Sequence, residues 1–238
     1  MRTIAFAILL ACLPAWGARE FVAASSTEGL TSLSLSETPA TVACRVWVLS
    51  SSFSATQSPL IVSSSISDTP YFALQITGAG GGKLRAYHRG GTPVSQGYAE
   101  STNKVPTNQW VQLAGVFNTL TSRIAYVNEV ASYTDTLNVV NFGTNNQVAV
   151  GSLRRIGYLQ GFSGSIADAA IWNVALTADE IASLAAGASP LTVRPQSLVF
   201  YAPLTGESTT TEVNLIGLAL SLSNSPARAT SHPRIFNP

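Results

Sequence analysis

From Phe21 onward, apolar and polar residues alternate with a period of two, in short runs broken by clusters of Gly, Pro, Asn and Ser. Side chains on a strand point alternately to opposite faces, so this pattern specifies strands with a buried face and leaves little room for helices. The clearest run is 41–49 (TVACRVWVL), which sets Val42, Cys44, Val46 and Val48 against Ala43, Arg45, Trp47 and Leu49. Further strands are expected over 58–65, 71–77, 83–89, 109–118, 123–130, 147–151, 162–172, 198–204 and, last, 215–222. The glycine-rich stretch 78–82 (GAGGG) reads as a hairpin loop between two of them.

One segment breaks the period. Thr177-Ala-Asp-Glu180 has capping-box spacing, in which the Thr hydroxyl and the Glu carboxylate each satisfy a backbone amide of the first turn. Ile181, Leu184 and Ala185 follow on one face, and Gly187 supplies the stop, giving one short helix near 178–186. The expected fold class is therefore all-β, an antiparallel two-sheet sandwich with one short helix. The organisation expected is an apolar N-terminal segment over 1–17, one sandwich domain over 18–222, and an irregular tail over 223–238 containing Pro226, His232-Pro233 and Pro238. The N-terminal segment has one Arg, an apolar stretch from Ile4 to Leu13, and small residues at Ala15 and Gly17. Two readings of it stay open: a cleaved secretory signal, or a retained arm buried against a partner.

Charged residues make up 11% of the chain, against roughly 25% in ordinary soluble proteins. The 13 basic and 12 acidic side chains leave a net charge of +1, without the basic excess a nucleic-acid binder uses against phosphates. An apolar share of 46% excludes disorder, and no apolar run of about 20 residues follows position 17, so no membrane span is expected. Two cysteines, Cys12 and Cys44, make no disulfide framework, and Cys44 reads as a small buried hydrophobe.

Catalytic signatures are missing. His88 and His232 stand far apart and without a metalloprotease Glu. Gly80-Gly81-Gly82-Lys83 is followed by Leu84 where a phosphate loop needs Ser or Thr, and Ser101-Thr-Asn-Lys104 reads as a solvated turn. Glycoside cleavage on a sandwich needs two facing carboxylates. Here Glu100, Glu129, Asp135, Glu207 and Glu212 are isolated, and Asp179 and Glu180 belong to the helix start. The chain is expected not to be an enzyme.

Residues 110–117 (WVQLAGVF) and 124–128 (IAYVN) resemble the paired central strands of laminin-G-like jelly rolls. The block Gly161-Phe-Ser-Gly164-Ser-Ile-Ala-Asp168-Ala-Ala-Ile-Trp172-Asn-Val-Ala-Leu176-Thr-Ala-Asp-Glu-Ile181 resembles their closing signature of glycine turn, strand and short helix, with 198–204 as the final strand. The similarity runs over about 19–204 and implies the concanavalin A-like lectin/glucanase fold, a jelly-roll sandwich. Where the family has Asn-Gly after a central strand this chain has Asn128-Glu129, which weakens that turn, and the glucanase carboxylate motif is missing. Many relatives bind calcium through loop Asp and Asn side chains. Asp68, Asp135 and Asn145-Asn146 are the candidates here, too scattered to assign a metal site, and no other cofactor is implied. Asp168 matches a family position and reads as holding the turn before the closing strand, while Trp110 and Trp172 fall at core positions.

If a sugar is bound, ring faces and neighbouring Arg groups would hold it. Strand parity turns Arg45 and Trp47 away from the Val42/Cys44/Val46 face, and places Lys83, Arg85, Tyr87 and Arg89 in one row. Arg45, Trp47, Arg85 and Tyr87 are thus the candidate carbohydrate-binding residues of one groove or sheet face. The plainer alternative is that Trp47 packs under a loop and the row is only solvated. Two settings fit, the first favoured by the single module, the low charge, a retained arm and the extended tail, the second by the signal-like N-terminus. One is a non-catalytic structural or adhesion protein of a virion surface, contacting capsid proteins, other virion proteins or copies of itself, with host glycans as ligands. The other is a secreted bacterial lectin-like protein.

Overall fold

The computed structural model describes residues 17–22, 26–35, 38, 40–49, 53–63, 70–79, 81–91, 95–139, 145–155, 158–224 and 226–233. The strands begin with β1 (Arg19–Phe21), β2 (Ser26–Leu35), β3 (Ala40–Val48), β4 (Gln57–Ser63), β5 (Tyr71–Ile76) and β6 (Lys83–Arg89). Next come β7 (Gln96–Lys104), β8 (Trp110–Thr119), β9 (Ser122–Val127), β10 (Val130–Ala131), β11 (Asn145–Val150), β12 (Ser152–Arg155) and β13 (Tyr158–Gly161). The chain continues through β14 (Gly164–Trp172), helix α1 (Ala178–Ala185), β15 (Leu198–Ala202), β16 (Thr211–Glu212), β17 (Leu220–Ser223) and β18 (Ala227–Arg228).

These strands pair antiparallel into two large sheets. The first has the order β10–β9–β8–β3–β14–β1–β18, with β15 also on β14, and the second β16–β17–β2–β11–β4–β5–β6–β7. Between them lies the core that the alternation anticipated. Val42, Cys44 and Val46 of β3 and Ile166 and Ile171 of β14 pack with Leu60, Val62, Phe72, Leu74, Leu84 and Ala86 from the facing sheet. Each fully buried aliphatic side chain contributes about 1.5–3 kcal/mol relative to exposure. Cys44 is wholly enclosed, and burial pushes its thiol far above the ordinary range, so it behaves as a hydrophobe.

The outer face of the first sheet is also covered. Helix α1 starts at Thr177 with the expected capping box, and its Ile181 and Leu184 pack on Ala43, Ala114, Ala170, Trp172 and Tyr201. Trp172 is fully buried there and its Nε1 donates to Val193 O at 2.8 Å. The turn weakened by Glu129 is rescued by Asn128, which takes the left-handed conformation (φ 53°) that Asn tolerates, and accepts the Gln112 amide on its Oδ1 at 3.0 Å.

Besides the two-residue strands β16 and β18, three stretches form strands that the alternation does not show. In β2 the sequence is diluted by Ser, Thr and Gly. The hairpin β12–β13 is too short to set a period. In β7 the inward positions are Gly97, Ala99 and Ser101, small residues with little hydrophobic signal. The supposed solvated turn at Ser101–Lys104 is the end of this strand, and Ser101 Oγ accepts the Leu84 amide at 3.0 Å.

The tail expected to be irregular also joins the sandwich. β18 pairs with β1, and the Ala229 amide donates to Ala18 O at 2.8 Å. Beside it Arg19 is buried against Glu212 (2.5 Å) and Pro226 O (2.6 Å). Except for Gly17, the N-terminal segment 1–17 lies outside the described residues.

Candidate functional site

The four residues expected to line one groove fall on two different sheets. Arg45 and Trp47 belong to β3 in the first sheet, Arg85 and Tyr87 to β6 in the second, and both pairs face outward. The predicted single groove therefore does not form.

Arg45 is a structural residue, which corrects its reading as a ligand group. It is 4% exposed, because α1 lies across its strand. Its Nη1 donates to Asp168 Oδ2 at 2.9 Å, its Nη2 to the carbonyls of Leu184 (3.0 Å) and Ala188 (2.9 Å), and its Nε to Gln112 Oε1 at 3.2 Å. Leu184 lies in the last turn of α1, where its carbonyl also accepts the Gly187 amide at 3.0 Å, so the guanidinium adds a charged donor at the helix C-terminus and offsets its dipole. Asp168 reaches this site because β14 bulges between Ala167 and Ala170, with Asp168 at φ 50°. Tyr201 Oη donates to its other oxygen at 2.8 Å. Burial raises the Asp168 carboxyl above its ordinary range, against the pull of Arg45 and the Tyr201 hydrogen bond. Asp168 thus ties Arg45 of β3 and Tyr201 of β15 to the bulge of β14.

Trp47 is half-buried edge-on against Trp110, with ring centroids 6.1 Å apart. A cavity of about 200 Å³ opens nearby, lined by Arg45, Trp110, Gln112, Asn128, residues 185–187 and Pro233. Its Arg45 and Gln112 groups are engaged within the protein. The buried Trp110 Nε1 has no partner among the described residues.

The outer face of the second sheet is built differently. Tyr71 of β5, Tyr87 of β6 and Tyr98 of β7 stand side by side across three strands. Their ring centroids are 5.6 and 6.1 Å apart, and their planes lie within 18° and 6°. The register pairs Tyr87 with Tyr98 and Arg85 with Glu100. Tyr87 Oη donates to Gln96 Oε1 at 2.5 Å, and the Arg85 guanidinium lies 4.1 Å above the Tyr98 ring while its Nε donates to Glu100 Oε2 at 2.8 Å. Tyr98 is 38% exposed, at the open end of the row. At the other end the hairpin β12–β13 docks on the sheet. Leu153 packs on Ile61, Tyr71 and Ala73, and Gln160 Oε1 accepts from Ser58 Oγ (2.8 Å) and Gln75 Nε2 (3.0 Å). One half of the face is covered, and the β6–β7 half presents rings beside donors and acceptors. Tyr98, Glu100 and Gln96 were missed in the sequence because β7 was not recognised. Tyr98 and Glu100, two apart on one strand, were the available signal. Arg89, in the same row, is 8% exposed and does not share that openness.

Of the calcium candidates, Asp68 lies outside the described residues, and the Asp135 carboxylate is spent on Arg123. Asn145 and Asn146 open β11. Among the described residues no three His, Cys, Asp or Glu side chains come together as a metal site.

Two twisted antiparallel sheets around one core, closed by a short capped helix, define a lectin-like jelly-roll sandwich. The chain belongs to the concanavalin A-like lectin/glucanases superfamily, whose laminin-G-type family model matches residues 24–182. No curated protein matches the chain by sequence. Among solved structures it is similar to the heptameric SAP-like pentraxin of Limulus polyphemus, at 18% identity over 72% of this chain and 82% of that one, with a TM-score of 0.54. It is similar to the CBM40 of the Ruminococcus gnavus IT-sialidase bound to α2,3-sialyllactose, at 18% identity over 71% and 97%, with a TM-score of 0.51. The enzymatically active domain of tailspike protein 2 from bacteriophage CBA120 matches at 17% identity over 79% of this chain and 30% of that one, with a TM-score of 0.57. At these identities the likeness is one of fold. Among the described residues no helix is long and apolar enough to cross a membrane.

Proposed function

We propose that this protein is a non-catalytic glycan-binding adhesion module that holds its ligand on the β5–β6–β7 face. The observation that carries the reading is the row Tyr71–Tyr87–Tyr98, open at Tyr98 and flanked by Arg85, Glu100 and Gln96. A sugar presents apolar C–H patches beside hydroxyls, and aromatic surface next to amide, carboxylate and guanidinium groups matches both. The CBM40 structure, bound to sialyllactose, supports this reading as a case of the same fold holding a glycan. Asp168 with Arg45, Glu212 with Arg19, Asp135 with Arg123 and Glu180 with Arg194 are carboxylates held in ion pairs, and Glu100 of this face is shared by Lys83 and Arg85, which supports binding without cleavage.

The setting proposed is a virion surface, supported by the fold shared with a phage tailspike domain. Labelling of purified particles by antibody to the protein tests the setting; label confined to a bacterial culture supernatant would assign it to the secreted class instead. Binding is tested on an array of neutral and charged glycans with the parent and Tyr98→Ala. The expected result is retention of at least one glycan by the parent and at least about a tenfold loss in Tyr98→Ala with an unchanged melting temperature. A folded parent that binds no glycan, or that releases reducing sugar, overturns the reading.

A further inference from the structure

Arg85 is held in a pose that leaves its working atoms unused. Its guanidinium is stacked 4.1 Å from the Tyr98 ring centroid, and Glu100 takes only its Nε. The two Nη nitrogens have no hydrogen-bond partner among the described residues, and the side chain is 30% exposed. A flat fork fixed in orientation, with both outer nitrogens open, has the geometry that grips an oxyanion with two parallel hydrogen bonds.

The surrounding charge points the same way. Lys83 and Lys104 are direct cross-strand partners in the β6–β7 register, and like charges in that relation are destabilising. Among the described residues Glu100 is the one carboxylate paired with Lys83 and Arg85, lying 3.6 Å from Lys83 Nζ. Among the described residues, two cations of one strand, Lys83 and Arg85, thus share this single carboxylate. One carboxylate shared by two cations leaves positive charge over on this strand, which an anionic ligand offsets.

Resting on the glycan-binding reading above, we infer that this face selects an anionic glycan, whose sugar carries a carboxylate or a sulfate ester, and that Arg85 is the specificity-determining residue. The Nη pair receives the oxyanion, Lys83 and Lys104 supply the surrounding positive field, and the ring edge at Tyr98 takes the sugar body.

The experiment measures binding of polygalacturonate, dextran sulfate and uncharged dextran at low and high salt, with the parent, Arg85→Lys and Tyr98→Ala. The parent is expected to bind at least one of the two polyanions about tenfold or more tightly than dextran, more weakly as salt rises. Preference between the two identifies the acid as carboxylate or sulfate. Arg85→Lys keeps the charge but not the fork, and is expected to lose about tenfold with its melting temperature unchanged. Equal binding of dextran, lost in Tyr98→Ala but not in Arg85→Lys, overturns the inference and leaves glycan binding standing. Polyanion binding undiminished in both variants overturns it as bare charge attraction. A parent that binds none of the three overturns it too, and the array then decides the wider reading separately.

Discussion

Replacing Arg45 by Met keeps the apolar stem and removes the guanidinium from a site where it makes four hydrogen bonds. What remains is the Asp168 carboxylate, 3% exposed and held by Tyr201 alone, together with the Ala188 carbonyl without its guanidinium donor and the Leu184 carbonyl held only by backbone amides. Removing one partner of a buried pair costs about 3–5 kcal/mol. For a chain of this size each kcal/mol lowers the melting temperature by roughly 2–4 °C, so Arg45→Met should melt about 6–20 °C below the parent at neutral pH. The deficit has a pH signature. Without Arg45, burial acts on Asp168 nearly unopposed and its folded pKa rises further. A carboxyl with a raised folded pKa contributes its stability below the unfolded value, about 3.9, and loses it as pH rises through the folded one. The gap to the parent should therefore be smallest in acid and widen toward neutrality. Adding Asp168→Asn to Arg45→Met should recover part of the loss, a coupling of about 0.5–3 kcal/mol. Thermal denaturation followed by circular dichroism or calorimetry from pH 4 to 8 measures all three. A variant melting within about 2 °C of the parent, or one that keeps its melting temperature and loses glycan binding, would refute the reasoning and return Arg45 to the ligand site.

Two further outcomes follow from the region where β7 passes over β9. His88 is fully buried, stacked on Phe72 with ring centroids 4.7 Å apart, and burial together with the nearby Arg123 charge lowers its pKa to about 3. A depressed folded pKa means that its contribution is complete above pH 6.5 and is lost as pH falls toward 3. The parent should lose up to about 1.4 kcal/mol per pH unit over that window, and His88→Phe should show a correspondingly shallower acid dependence in urea titrations; parallel curves would exclude the assignment. At Gly97, an added Cβ would overlap Arg123 Nη1 and come within 2.9 Å of Asp135 Oδ2. Arg123 is fully buried, paired with Asp135 and donating to Leu120 O and Leu137 O, so it has nowhere to retreat. Gly97→Ala should cost about 1–3 kcal/mol by melting, and a parent-like melt would show that this packing is looser than the distances state.

The alternation in the sequence determines which side chains share a face, because the pleat is a local property of each strand. It placed Val42, Cys44 and Val46 in the core, aligned Lys83, Arg85, Tyr87 and Arg89 in one row, and the Thr177–Glu180 spacing marked where α1 begins. Parity does not say what covers a face. Arg45 and Arg85 look equivalent in the sequence, both outward on a strand. One is sealed by carbonyls from a helix end and the turn after it, 139 and 143 residues further on, and the other lies open beside a tyrosine from the next strand. The Tyr98–Glu100 half of the site was hidden because β7 turns Gly97, Ala99 and Ser101 inward, leaving room for Arg123 and erasing the hydrophobic signal that would have revealed the strand. Strand pairing and the docking of α1 and the β12–β13 hairpin are contacts between distant segments, and only their assembly decides which charge is buried and which is left exposed.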